Sequence, residues 1–217
     1  MIRVLVVDDD PMVRRLLRTI LRPDDLEVVA EAVDGDDAVT QTQAHHPDVV
    51  LMDLRMPRVD GIRATALLRA LPSPPEVVAM TSFDTEAAVL DAVHAGAAGF
   101  LAKDASPDDL VGAVRAVARG EGWFSGRAMR TVVTRLGEGP AAAAGREAQQ
   151  RLQQLTDREV EIACAVSEGA SNAEIARRLY VSEATVKTHL ARTLDKLGVA
   201  NRVQLAVLVA RAGAPGR

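Results

Sequence analysis

Short apolar runs alternate with amphipathic stretches through the first half of the chain. Val4–Val7, Glu27–Glu31, Val49–Asp53, Val77–Met80 and Gly99–Ala102 have the length and composition of strands, and the third, bounded by Pro47 and Pro57, reads as buried on both faces. After the first run, Val13, Leu16, Leu17, Ile20 and Leu21 recur at helical spacing, with Arg14, Arg15, Arg18 and Arg22 between them. Pro11 suits the first turn of that helix, with Asp9 or Asp10 as its N-cap. Further helices are predicted over about Asp34–His45, Gly61–Leu71 and Thr85–Ala95, and a fifth opens at Ser106-Pro107-Asp108-Asp109 with a cap, an N1 proline and an acidic N3. Five strands alternating with five helices call for an α/β fold with a parallel, doubly wound sheet.

The pattern then changes. Residues 120–150 read as a linker: Gly120-Glu121-Gly122 closes the first domain, Met129–Leu136 suits a short helix, and the small-residue run from Gly137 to Gly145 suits a mobile tether. Trp123-Phe124 is placed to pack this tether onto the first domain. Beyond it, Thr156 with Glu159 and Ser171 with Glu174 are capping boxes that open two helices, the first stopped by Gly169 and the second running to about Leu179. Tyr180-Val181-Ser182 is a short turn, Ser182 caps a third helix over about Glu183–Leu197, Gly198 stops it, and a fourth spans about Arg202–Arg211. The expected domains are 1–119, a linker at 120–150, and a small all-α four-helix domain at 151–217. Its middle helices form a helix-turn-helix, whose second helix is shaped for a DNA major groove.

Charge separates the halves. The net charge is −4, but residues 1–118 carry 11 Lys+Arg against 20 Asp+Glu, while residues 119–217 carry 15 against 10. An acidic front and a basic back imply different partners. From Ile175 to Arg202 there are six basic residues against two acidic, a modest footprint for nucleic acid. Val186, Leu190, Leu194 and Leu197 form the buried stripe of the third helix, which makes Lys187 and Thr188 the expected base readers and Thr185, Arg192 and Lys196 the expected phosphate contacts. The lone Cys164 excludes an intramolecular disulfide and suits a buried small hydrophobe; no signal peptide or membrane span is legible, so a cytoplasmic protein is expected. His45, His46 and His94 lack metal spacing, His189 is expected to pack or touch a phosphate, and Arg177-Arg178 is as much a solvated face as a contact.

The chemistry collects at the carboxyl ends of the strands, the functional edge of such a sheet. Asp8 and Asp9 follow the first strand, Asp53 ends the third, Thr81 follows the fourth and Lys103 the fifth. Any one of these carboxylates could be an ordinary helix cap, but five polar groups from separate turns argue for one site. Three carboxylates close together repel, and a divalent cation relieves that; an oxygen-only set suits Mg²⁺. Asp53 is then the candidate nucleophile, with Lys103 and Thr81 placed to meet the oxygens of an incoming phosphoryl group.

These residues resemble the receiver domain of bacterial two-component response regulators across 2–119, through Val-Val-Asp8-Asp9, Leu-Met-Asp53-Leu-Arg-Met-Pro57, Met80-Thr81-Ser82 and Phe100-Leu-Ala-Lys103. The second half resembles the LuxR-type helix-turn-helix, from Leu155-Thr-Asp-Arg-Glu159 to Val181-Ser-Glu-Ala-Thr-Val-Lys-Thr-His189 and Lys196-Leu-Gly198. Together they look like a NarL/FixJ-type response regulator, with a flavodoxin-like receiver. The resemblance implies that Asp53 accepts phosphoryl from a sensor histidine kinase and that Asp9, Asp53 and the Arg55 backbone carbonyl ligate Mg²⁺, with Asp8 acting through water. It further implies that Thr81 and the switch aromatic Phe100, alternatively plain core, relay the change. The chain would then dimerise as a homodimer, with Val203, Leu205, Ala206 and Val209 of the last helix in the contact, and would regulate transcription on promoter DNA, RNA polymerase being a further candidate partner. It implies a regulator, not an enzyme. Asp104 stands where a proline is common in other receivers and Ser82 where alanine is, while Ala191 replaces a lysine that some relatives use on DNA. Two other readings are a Mg²⁺-dependent phosphatase of the haloacid-dehalogenase type, from Asp8-Asp9-Asp10, and a regulator that binds DNA without phosphorylation.

Overall fold

The computed structural model describes residues 1–82, 85–125, 128–129, 131–132 and 141–213, with the backbone alone at 141–144. The chain divides into two compact units, Met1–Ala128 and Met129–Arg217.

In the first unit, β1 (Ile2–Val7), β2 (Leu26–Ala32), β3 (Val49–Asp53), β4 (Glu76–Thr81), β5 (Gly99–Ala102) and β6 (Trp123–Phe124) form one parallel sheet in the order β2-β1-β3-β4-β5-β6. Between them run α1 (Pro11–Ile20), α2 (Gly35–His45), α3 (Gly61–Arg69), α4 (Glu86–Ala95) and α5 (Pro107–Ala118). The period of two is visible in the packing: Val4, Val6, Val49 and Leu51 join Leu17 of α1, Leu21 at its C-cap, and Leu110 and Val114 of α5. Leu5, Val7, Val50 and Met52 point the other way, onto Ala38 of α2 and Ala64 and Leu68 of α3. All five residues of β3 are buried, as a central strand covered on both faces requires.

Polar caps start the helices where expected. Asp10 accepts from the Met12 amide at α1, Asp34 from Asp36 and Asp37 at α2, Asp60 from Arg63 at α3, Thr85 from Ala88 at α4 and Ser106 from Asp109 at α5.

Among the described residues six strands stand where five were read. Trp123 and Phe124 pair with Gly99 and Phe100 and cover an edge of β5 that would otherwise stay open. A two-residue strand has no periodicity to read. Gly112 makes room for it, since a Cβ there would meet the Trp123 ring at 3.0 Å.

Among its described residues the second unit contains α6 (Ala141–Leu152), α7 (Asp157–Ser167), α8 (Asn172–Leu179), α9 (Glu183–Leu197) and α10 (Arg202–Arg211), against four helices read from sequence over 151–217. Helix α6 falls in the stretch read as a linker. Its small residues are strong helix formers apart from Gly145, and Ala148 and Leu152 bury in the same core as Ile162, Ile175, Leu190 and Leu205. The short helix read over Met129–Leu136 lies largely outside the described residues. Both capping boxes form, Thr156 with Glu159 and Ser171 with Glu174, and Ser182 caps α9.

Side chains from other helices meet the carbonyls that the ends of α7–α10 leave unpaired. Arg202 donates to Ala170 just past α7 at 2.6 Å, Arg158 to Leu179 of α8 at 2.7 Å, Arg151 to Leu197 of α9, and Gln149 to Ala212 past α10 at 3.0 Å. Three of these four donors are guanidiniums, whose charge also complements the negative end of a helix dipole. The arrangement fixes how α9 is presented.

Candidate functional site

At the carboxyl edge of the sheet, β1, β3, β4 and β5 end side by side, in register from Val7 against Met52 to Thr81 against Ala102. The chain therefore delivers Asp8, Asp53, Thr81 and Lys103 to one place, where a cavity of about 370 Å³ is lined by Asp9, Asp10, Val13, Asp53, Arg55, Thr81, Ser82 and Lys103. Asp8 and Asp53 are buried and Asp9 is exposed, and one carboxylate oxygen of each lies within 4.8 Å of the others. Lys103 Nζ sits between the two buried acids, 2.7 Å from Asp8 Oδ2 and 2.9 Å from Asp53 Oδ2. The other Asp53 oxygen accepts from the Arg55 amide at 3.1 Å. Thr81 is buried at the end of β4, and its carbonyl accepts from the Lys103 amide at 2.9 Å.

Close packing beneath Asp53 explains Asp60-Gly61. A Cβ on Gly61 would lie 2.0 Å from the Asp53 carbonyl oxygen, so only glycine lets α3 start against the end of β3. Across the loop, Gly35 donates to the Val59 carbonyl at 3.1 Å and Arg58 pairs with the buried Asp34.

Burial pushes the Asp53 carboxyl above its ordinary range; Lys103 and the Arg55 amide pull it back, while the nearby Asp8 charge pushes it up again. Burial would lower the Lys103 ammonium, but its contacts with Asp8 and Asp53 outweigh that and hold it above its usual value. Three carboxylates and one ammonium leave the cluster negative. Asp8 Oδ2 is buried, and the Lys103 ammonium at 2.7 Å meets part of its accepting capacity. An oxygen-only set, an excess of negative charge and an incompletely satisfied buried oxygen fit a hard divalent cation such as Mg²⁺. Chemically, the site can present a carboxylate nucleophile with cationic neutralisation beside it.

The structure brings together all the acidic-site residues named from sequence. Phe100 is buried, in register with Ala79 of β4 and Phe124 of β6. Two residues escaped the sequence reading: Arg14 donates to the Asp8 carbonyl at 2.7 Å, and Glu31 accepts from Arg14 at 3.2 Å. Arg14 looked like one of several arginines on the polar face of α1, and only its proximity to the start of that helix marked it.

In the second unit Val186, Leu190 and Leu197 bury as expected, with Leu194 half-buried, and Lys187, Thr188 and Arg192 are exposed on α9. Thr185 is half-buried, its hydroxyl 2.9 Å from that of Ser182. Lys196 is also engaged within its own unit. Its Nζ lies 2.7 Å from Oε2 of the buried Glu159, an ion pair that ties α9 to the capping box of α7. Lys196 and the Thr156 amide and hydroxyl hold the Glu159 carboxyl down to about 2. The sequence showed Glu159 as a cap but gave no sign that a lysine 37 positions later would close on it. On α10, Val203, Leu205 and Val209 are buried within their own unit rather than presented outward, because α6 and α7 pack across that helix. Cys164 is half-buried and its thiol is pushed up by burial.

The family model for the response regulator receiver domain matches residues 4–115, and that for bacterial regulatory proteins of the luxR family matches residues 153–209. The chain is 40% identical over 216 residues to the uncharacterized transcriptional regulatory protein YxjL of Bacillus subtilis, covering 98% of this chain and 96% of that one. It is 38% identical over 212 residues to the transcriptional regulatory protein LiaR of the same organism, covering 97% and 98%. Among solved structures, the response regulator ChrA of a heme-sensing two-component system matches with a TM-score of 0.52 at 40% identity, covering 97% of this chain and 96% of that one.

Proposed function

This chain belongs to the response regulators of two-component systems, DNA-binding regulators of transcription that join a receiver domain to a LuxR-type helix-turn-helix domain, and on that premise we propose that phosphoryl transfer to Asp53 controls its output. The observation that carries this reading is the buried pair Asp8 and Asp53 bridged by Lys103, with Asp9 beside them. Asp53 attacks the phosphorus of a phosphohistidine on a sensor kinase; the P–N bond breaks, the imidazole leaves, and Asp53 becomes an acyl phosphate. Asp8, Asp9, Asp53 and the Arg55 carbonyl would hold Mg²⁺, which when bound neutralises charge on the phosphoryl oxygens. Lys103, already between the two acids, pairs with a phosphoryl oxygen, and Thr81 donates its hydroxyl to another. Burial of Phe100 beside β4 gives the change a route into the core.

The output side follows the same premise. Lys187 and Thr188 read bases, Thr185 and Arg192 reach phosphates, and Lys196 acts from its ion pair with Glu159 by fixing α9. Phosphorylation favours a homodimer on promoter DNA in the cytoplasm; no helix among the described residues is long and apolar enough to cross a membrane. The working division is a receiver at 1–119 and a DNA-binding domain at 151–217, with α6 as part of the latter's core. Incubation with acetyl phosphate and Mg²⁺, followed by intact-mass measurement, tests the acceptor. The wild type gains one phosphoryl and Asp53→Asn gains none; equal gain by the variant would place the acceptor elsewhere.

A further inference from the structure

Four contacts hold Asp8, and one of them comes from a side chain with no part in the phosphoryl chemistry. The Asp8 amide donates to the Ala32 carbonyl at 3.2 Å, Oδ1 accepts from the Asp10 amide at 3.0 Å, and Oδ2 meets Lys103 at 2.7 Å. The fourth is Arg14, whose guanidinium donates to the Asp8 backbone carbonyl at 2.7 Å. Arg14 is no loose surface cation: its side chain is 15% exposed, and its Nε donates to Glu31 Oε2 at 3.2 Å. Arg18 donates to the other Glu31 oxygen at 3.1 Å. The row Arg18–Glu31–Arg14–Asp8 thus straps the end of β2 and helix α1 to the end of β1.

We propose that Arg14, anchored by Glu31, is a positioning residue for the divalent cation of the acidic site, an inference that rests on the reading of Asp8, Asp9 and Asp53 as that site. The carbonyl it clamps belongs to the peptide joining Asp8 to Asp9. Holding that peptide fixes the direction in which both acids leave β1. A planar guanidinium suits the task because it can serve the carbonyl and Glu31 at once, which a single ammonium on a flexible stem does poorly.

Two effects of opposite sign compete. As a bare charge near three carboxylates, Arg14 would repel a cation, and its removal would tighten binding. As a clamp on the Asp8–Asp9 peptide, its removal would loosen two of the three acids and weaken binding. Glu31 offsets the charge of Arg14 at 3.2 Å and leaves the clamp intact, so the positioning effect wins.

Calorimetric titration of Mg²⁺ into the full chain, with melting of the metal-free protein in parallel, separates these. Arg14→Gln weakens Mg²⁺ binding roughly tenfold, the scale expected when a group that orients a ligand is lost. Arg14→Lys recovers little of it. Glu31→Gln binds Mg²⁺ more weakly than the wild type, by a smaller factor than Arg14→Gln. Binding by Arg14→Gln as tight as or tighter than wild type overturns the proposal, as does full recovery in Arg14→Lys, which would mean that charge alone sufficed. A wild type that binds no Mg²⁺, or an Asp9→Asn variant that binds it as well as wild type, overturns the metal reading itself.

Discussion

At the acidic edge of the receiver, Asp8 and Asp53 are buried and joined through Lys103, whereas on α9 the residues that face outward, Lys187, Thr188 and Arg192, stand exposed on one continuous helix. The first site is assembled from four strand ends that share backbone hydrogen bonds, so disturbing one member moves the others. The second is set as a rigid body by contacts away from its outer face: Arg151 at the end of α9, and Lys196 on Glu159. Substitutions should therefore act together at the acidic edge and nearly independently along α9.

The largest effect is expected where a backbone blocks any side chain. Gly61→Ala places a methyl 2.0 Å from the Asp53 carbonyl and should destabilise the receiver by about 3 kcal/mol or more, seen as an earlier receiver transition in denaturant with the second unit's transition unchanged. Equal loss in both transitions would break the separation of the two regions.

A smaller effect comes from the Glu159–Lys196 pair. Since the folded environment holds Glu159 at about 2, below its ordinary 4.5, the stability it confers is present above pH about 4.5 and is lost as pH falls toward 2. Lys196 is 41% exposed, so Lys196→Met should cost only about 1–2 kcal/mol at pH 7 and should flatten the acid limb of the second unit's unfolding curve.

On the receiver side the sign reverses. Asp53 is raised by burial, so its ionisation in the metal-free fold is unfavourable, and that penalty grows as pH rises through its folded value. Asp53→Asn should leave metal-free melting unchanged or raise it, while Mg²⁺ raises the melting temperature of the wild type and not of the variant. Equal stabilisation of both by Mg²⁺ would show that Asp53 is no ligand.

The smallest and most graded effects belong to α9. Lys187→Ala should cost about 1–3 kcal/mol of DNA affinity and relax preference at one base position, whereas Arg192→Ala should weaken all sequences alike and lower the salt slope by about 1. Equilibrium binding at several salt concentrations distinguishes them.

What was legible in the sequence follows the range of the forces involved. Caps are local, so Ser106, Thr156, Ser171 and Ser182 could be read from their neighbours. The acidic site was legible because strand ends in a parallel sheet share one edge. Contacts across long separations were not: Lys196 to Glu159 spans 37 residues and Arg14 to Glu31 spans 17. Both involve a basic side chain on a helix whose other polar positions look alike in sequence. Helix α6 was missed because a run of alanines and glycines signals a tether until a core is found for Ala148 and Leu152. The burial of Val203, Leu205 and Val209 within their own unit was not legible for the converse reason: an apolar stripe does not say which neighbour covers it.

The central claim, that Asp53 governs the DNA-binding half, is tested most directly by titrating promoter DNA against the full chain with and without beryllofluoride and Mg²⁺. Beryllofluoride should tighten binding by the wild type and leave Asp53→Asn unchanged; equal affinity of the wild type in both conditions would rule out control through Asp53.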